Sequence, residues 1–210
     1  MSTSYNQVAG TSVERLAALS DGVFAVAMTL LVLDLRAPEV DKIRSEQDLW
    51  VALGALAPKF LMCAMTFLTL GIFWIGQQTQ LNHLTRSAHS LSAMHLLFLF
   101  AVCMTPFSTM LLAGFITFRL AMLVYWVNIL LLGVSLYFTW VCAIGLGVVR
   151  EDLPPAAATA IKRRIVLAQS LYAFGALLCL VNTYLSIGFF VLVQLNYAIA
   201  PRLPGRRGSA

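Results

Sequence analysis

Charge is scarce in this sequence. Of its 210 residues 11% are charged and 60% hydrophobic, with a mean hydropathy of +0.85. Soluble domains carry about 25% charged and about 45–50% apolar residues. No water-soluble core of this length encloses so much apolar surface, so lipid must solvate the excess. Cysteine is sparse too. Cys63, Cys103, Cys142 and Cys179 stand singly in separate apolar runs with no C-x2-C pair, which argues against a zinc module and reads as thiols filling space. There is no H-E-x-x-H, no G-x-S-x-G and no close carboxylate pair within the apolar runs, so neither enzyme chemistry nor a cofactor is expected. An Arg-rich helix of the voltage-sensing kind is also missing. Met1 to Gly10 lacks the basic n-region of a cleaved signal peptide, so the first apolar helix is expected to be retained.

The charge that is present leans basic, with 14 Lys and Arg against 9 Asp and Glu. Arg150, Lys162, Arg163, Arg164, Arg202, Arg206 and Arg207 lie between apolar runs or in the tail, without basic–aromatic interleaving. That is the flank pattern of helices meeting an anionic leaflet, and it excludes a nucleic-acid partner.

A membrane-spanning helix needs about 20 apolar residues. Six spans are predicted, over residues 16–35, 49–76, 91–115, 120–149, 165–182 and 186–200. They form an all-α polytopic membrane domain over 1–201, followed by a basic tail over 202–210. The second run, interrupted by Pro58 and Lys59, reads as a tilted helix whose first turns lie outside the hydrocarbon. Pro106 predicts a kink in the third. Arg150 to Arg164, with Pro154 and Pro155, reads as a cytoplasmic loop. Ile165 to Ala200 is too long for one helix, so a turn is placed near Asn182 to Ser186. Alternating connections put nine of the 14 basic residues on the side of the termini and five on the other, which predicts a cell-membrane protein with both termini cytoplasmic.

The first helix holds the polar residues of interest. Ser20 and Asp21 stand near its start and Asp34 at its end beside Arg36, where it reads as an interfacial, solvated pair. A carboxylate at membrane depth is expensive and is normally paired or faces water. Ser20 and Asp21 therefore admit two readings, as a helix cap or tie to a neighbouring helix, or as part of an ion path. Gly22, Val26, Thr29, Leu30 and Leu33 follow the i, i+4, i+7, i+8, i+11 spacing of one helical face. Periodicity alone does not separate a pore-lining stripe from a packing stripe.

The stretch Arg15-x3-Leu19-Ser20-Asp21-Gly22, running on through Val26, Thr29 and Leu30 to Asp34, resembles the first-helix signature of the endosomal/lysosomal potassium channel family, in its prokaryotic branch. Leu19 stands at the phenylalanine of R-x3-F-S-D. Phe73-Trp74, His95-Leu96-Leu97-Phe98 and Pro106-Phe107 are weaker likenesses. The resemblance implies a six-helix subunit of a homotetrameric potassium-permeable channel, with the first helices around the pore and no T-V-G-Y-G filter, a string absent here as well. It further implies an apolar constriction at Val26, a lining continued by Leu30 and Leu33, and ion preference at Thr29. Arg15, Ser20 and Asp21 would hold the helix among its neighbours. The implied partners are other copies of the chain, membrane lipid and permeant monovalent cations. Physical chemistry is compatible with this, since apolar rings gate by dewetting and threonine hydroxyls can replace part of a cation's hydration shell.

Two other classes fit the composition: a secondary transporter and a non-conducting scaffold. The transporter reading expects inverted repeats with broken helices, and the two halves show no evident likeness. His83, His89 and His95 are spaced six apart, about 240° around a helix, and share no face for a metal. His95 is expected to pack against or bond to a neighbouring helix.

Overall fold

The computed structural model describes residues 12–33 and 35–199. The expectations for Met1 to Gly10, Asp34 and the tail over 202–210 concern residues outside that set. Helix α1 (Val13–Leu33) is followed by a single 3-10 turn (Val40–Lys42) and the short α2 (Glu46–Ala55). Then come α3 (Ala57–Leu81), α4 (His89–Gly114), α5 (Arg119–Gly145), α6 (Pro155–Leu177), a second 3-10 turn (Leu178–Leu180) and α7 (Thr183–Ile199). Five helices, α1 and α3 to α6, are long and apolar enough to cross a membrane, and α7 is a shorter apolar helix. The chain is an all-α, multi-pass membrane protein, and no β-strand occurs among the described residues.

Two elements differ from the sequence expectation. The predicted second run begins as a separate helix, α2, because each part has its own start signal. Ser45 caps α2 by accepting from Asp48 N–H at 3.1 Å, and Pro58 starts α3, where its missing N–H costs nothing. The stretch read as a loop up to Arg164 is helical from Pro155, so Lys162, Arg163 and Arg164 ride on α6. Proline at the first helical position followed by an alanine-rich stretch favours that start. Pro106 lies inside an uninterrupted α4. The break between α6 and α7 falls at Val181–Asn182, and the Asn182 side chain caps α7 by accepting from Tyr184 N–H at 2.8 Å.

α4 and α5 pair along their length, α1 lies against α3 and α4, and α7 closes the bundle against α3 and α6. In lipid, apolar helices gain little by association, so packing and polar contacts fix their arrangement. A polar seam does so here. Thr66 meets Thr109 at 2.9 Å and Tyr125 at 3.3 Å. Asn128 donates to the Thr105 hydroxyl at 2.9 Å, and Gln194 to the Thr69 hydroxyl at 2.6 Å. Those bonds join α3, α4, α5 and α7. Gly175 on α6 lets α7 approach closely, since a Cβ there would stand 2.7 Å and 2.8 Å from ring carbons of Phe190 and Phe189. Gly147 ends α5 in the left-handed region, with φ at 62°.

The connections between α3 and α4 and between α5 and α6 meet. Thr85 N–H donates to Val148 O and Arg150 N–H to His83 O, both at 2.9 Å. These two loops therefore lie on one face of the bundle, beside the start of α1, whose Ser12 and Val13 border a groove with Asn82 and Thr85.

Candidate functional site

At about 100° per residue, Ser20, Phe24, Ala27 and Leu31 share one face of α1 and the glycine–valine–threonine–leucine stripe lies opposite. The first group is buried, with Phe24 and Ala27 each 2% exposed within a cluster that includes Met62, Phe98 and Val102. The opposite group is exposed, with Val26 at 58%, Leu30 at 45% and Leu33 at 73%. Thr29 is exposed as well. Leu19 and Arg15 continue the exposed side toward the helix start, and no bond of the Arg15 side chain occurs among the described residues. One protomer thus locks one face of α1 and leaves the other largely exposed.

A polar anchor sets this rotation. Ser20 is fully buried, and its hydroxyl donates to Leu16 O at 2.7 Å. The same oxygen accepts from Gln77 Nε2 on α3 at 3.0 Å and is hydrogen-bonded to His95 Nε2 on α4 at 2.7 Å. One residue on, the Asp21 carboxylate accepts from Trp74 Nε1 at 2.7 Å and Gln78 Nε2 at 2.6 Å. The side chain is exposed, so both bonds sit at the rim of the bundle. Bonds to a carboxylate are about twice as strong as neutral ones.

The sequence singled out Ser20, Asp21 and His95 but gave Gln77 and Gln78 no role. The signal was available, since two adjacent amides ending an apolar helix need partners. Thr29 has a different situation. Its hydroxyl donates to Val26 O at 2.8 Å on the exposed side of α1. Along the same side a shallow apolar groove runs between α1 and α4, bordered by Leu19, Gly22, Val26, Leu30 and Cys103. Among the described residues, no three His, Cys, Asp or Glu side chains gather as a metal site requires.

Comparison with known proteins agrees on one family. The family described as endosomal/lysosomal potassium channel TMEM175 matches residues 15–106, a range that holds α1, α3 and most of α4. A protein of Streptomyces collinus named a potassium channel is 31% identical over 190 residues, which is 87% of this chain and 90% of that one. A mouse protein named endosomal/lysosomal proton channel TMEM175 is 33% identical over 91 residues, 41% of this chain but 18% of its own length. In three dimensions the chain is similar to the crystal structure of a lysosomal potassium-selective channel TMEM175 homolog from Chamaesiphon minutus. That match has a TM-score of 0.78 at 26% identity and covers 90% of this chain and 97% of the other.

Proposed function

The chain belongs to the endosomal/lysosomal potassium channel TMEM175 family, and from that premise we propose that it is one subunit of a potassium-permeable channel in the cell membrane. Four copies gather their α1 helices about a shared axis, so that Val26, Thr29, Leu30 and Leu33 face the ions. Supporting this reading above all is the division of α1 into a locked face and a bare one. The anchor at Ser20 and Asp21 turns the stripe away from its own bundle.

The chemistry of that face suits a narrow conduit. Val26 and Leu33 are about 10 Å apart along the axis at ~1.5 Å per residue, with the threonine between them. Rings of valine and leucine side chains exclude water when narrow and so form a gate without a hinged lid. A ring of threonine oxygens between apolar layers offers a dehydrating cation uncharged ligands, the Thr29 proton being held by Val26 O. A single chain supplies one such helix, so the conduit requires rotational symmetry. Both termini lie in the cytoplasm in this reading. Support comes from the excess of Lys and Arg on that side and from the pairing of the Thr85 and Val148 loops on one face.

The test is electrical. Purified chain in planar bilayers should pass single-channel potassium currents. Val26→Ala should raise the current or leak several-fold, and Thr29→Ala should shift the reversal potential in a potassium–sodium gradient. Unaltered conductance and ion preference in both variants would remove α1 from the ion path. Uphill flux in sealed vesicles would replace the channel with a transporter, and a proton gradient in the same bilayers shows whether protons share the path, as the name of the mouse relative suggests for that protein.

A further inference from the structure

A second concavity lies away from α1, bounded by α3, α5, α6 and α7. Its free volume is about 240 Å3. The walls are largely apolar, built from residues such as Phe73, Leu136 and Ile165. Three of the residues lining it nevertheless carry buried polar atoms with no partner: Gln80 Oε1, Gln169 Oε1 and the Tyr172 hydroxyl. Gln80 and Tyr172 are each 2% exposed.

Neither amide can turn to relieve its oxygen. Gln80 Nε2 donates to Leu136 O at 3.2 Å, and Gln169 Nε2 to Ile129 O at 3.4 Å. Both oxygens are unpaired and sealed beneath the wall, which is costly in a buried setting. At the rim stands Arg164, its guanidinium 5.8 Å from the centre of the Tyr197 ring. It has no carboxylate partner among the described residues, and no acidic residue lines the concavity. Gln80 is one residue from the end of α3, so this end of the concavity lies near the membrane face that carries the start of α1. From Arg164 to Tyr172 the α6 wall continues about 12 Å inward.

We propose that this concavity binds an anionic glycerophospholipid such as phosphatidylglycerol. The phosphodiester supplies the anion that Arg164 lacks. The first methylenes of an acyl chain match the apolar wall. The site is separate from the ion path and does not rest on the reading of α1.

Native mass spectrometry of the intact protein, titrated with phosphatidylglycerol, phosphatidylcholine or soluble glycerol phosphate, tests this. One phosphatidylglycerol per chain should bind at least tenfold tighter than phosphatidylcholine, and soluble glycerol phosphate should not displace it. Arg164→Gln should weaken binding about tenfold. Ala168→Phe, which fills the concavity from α6, should abolish it, while the neighbouring Arg163→Gln leaves it unchanged. Circular dichroism confirms that each variant is folded. Binding that survives both Arg164→Gln and Ala168→Phe overturns the proposal. So does equal binding of the two lipids, and displacement by glycerol phosphate would make this a soluble-anion site instead.

Discussion

Replacing Ser20 by alanine removes one oxygen and disturbs three helices. In the native chain that oxygen is fully buried, accepts from Gln77 on α3 and is hydrogen-bonded to His95 on α4. The alanine methyl fits the space, so packing is little changed. The loss is electrostatic: two buried partners lose the hydroxyl, and each unsatisfied group costs about 1–3 kcal/mol, giving roughly 2–6 kcal/mol in all. The Leu16 carbonyl loses only a supplementary donor from within its own helix. Titration with a denaturing detergent, followed by circular dichroism, measures the change in unfolding free energy. A suitable control is Ser170→Ala, whose exposed hydroxyl bonds only to the Val166 carbonyl of its own helix and should matter by less than about 0.5 kcal/mol. Because the anchor sets the rotation of α1, Ser20→Ala should also alter single-channel conductance. A stability loss no larger than the Ser170 control would refute the assignment of this oxygen as an interhelical junction.

Four further outcomes follow from particular contacts. Asp21→Asn should keep the shape but weaken both bonds from Trp74 and Gln78, lowering stability by about 1–2 kcal/mol in the same titration. Gly175→Ala should cost about 1–3 kcal/mol, because its methyl would press on the Phe189 and Phe190 rings. Gln194→Leu should destabilise by only about 0.5–1.5 kcal/mol, since the Thr69 hydroxyl loses that donor but keeps Met65 O and the Tyr125 hydroxyl. The Asp48 carboxyl lies below its ordinary value of 3.8, held there first by the Ser45 hydroxyl and then by the Arg44 N–H. A carboxylate lowered by folding stabilises above that ordinary value and ceases to do so as pH falls through the lower folded one. The start of α2 should therefore stay protected from amide exchange at pH 5 and begin to fray below about pH 3.8, whereas protection that does not fall as acid is added would exclude a stabilising role for the Asp48 carboxylate.

The membrane helices were legible because lipid imposes a coarse rule, a run of about 20 apolar residues with the backbone satisfied internally. Finer boundaries follow local chemistry that a hydropathy reading passes over. The Ser45–Asp48 cap starts α2, Pro58 opens α3, and Pro155 with the alanines behind it starts α6 well before the apolar run begins. The first-helix polar residues were equally visible, being costly in hydrocarbon. Their partners were not, since Trp74, Gln78 and Gln77 lie 53 to 57 positions from the residues they bond. Periodicity identified the stripe from Gly22 to Leu33 as one face without saying which way it points. The buried positions of Phe24, Ala27 and Leu31 give that direction relative to the protomer.

The hydroxyl and amide contacts through the centre of the bundle bear on how the subunit comes to have a definite form. Two greasy rods in oil slide and spin past one another at almost no cost, because every register looks alike to the surrounding chains. A slip of one turn between α3 and α4 would part Thr66 from Thr109, and a slip of α7 would strand Gln194 away from Thr69. Each pair therefore works as a dowel, making one alignment of the rods cheaper than its neighbours. The protomer reaches the assembly step already keyed, and the symmetry of any larger object is inherited from that prior alignment.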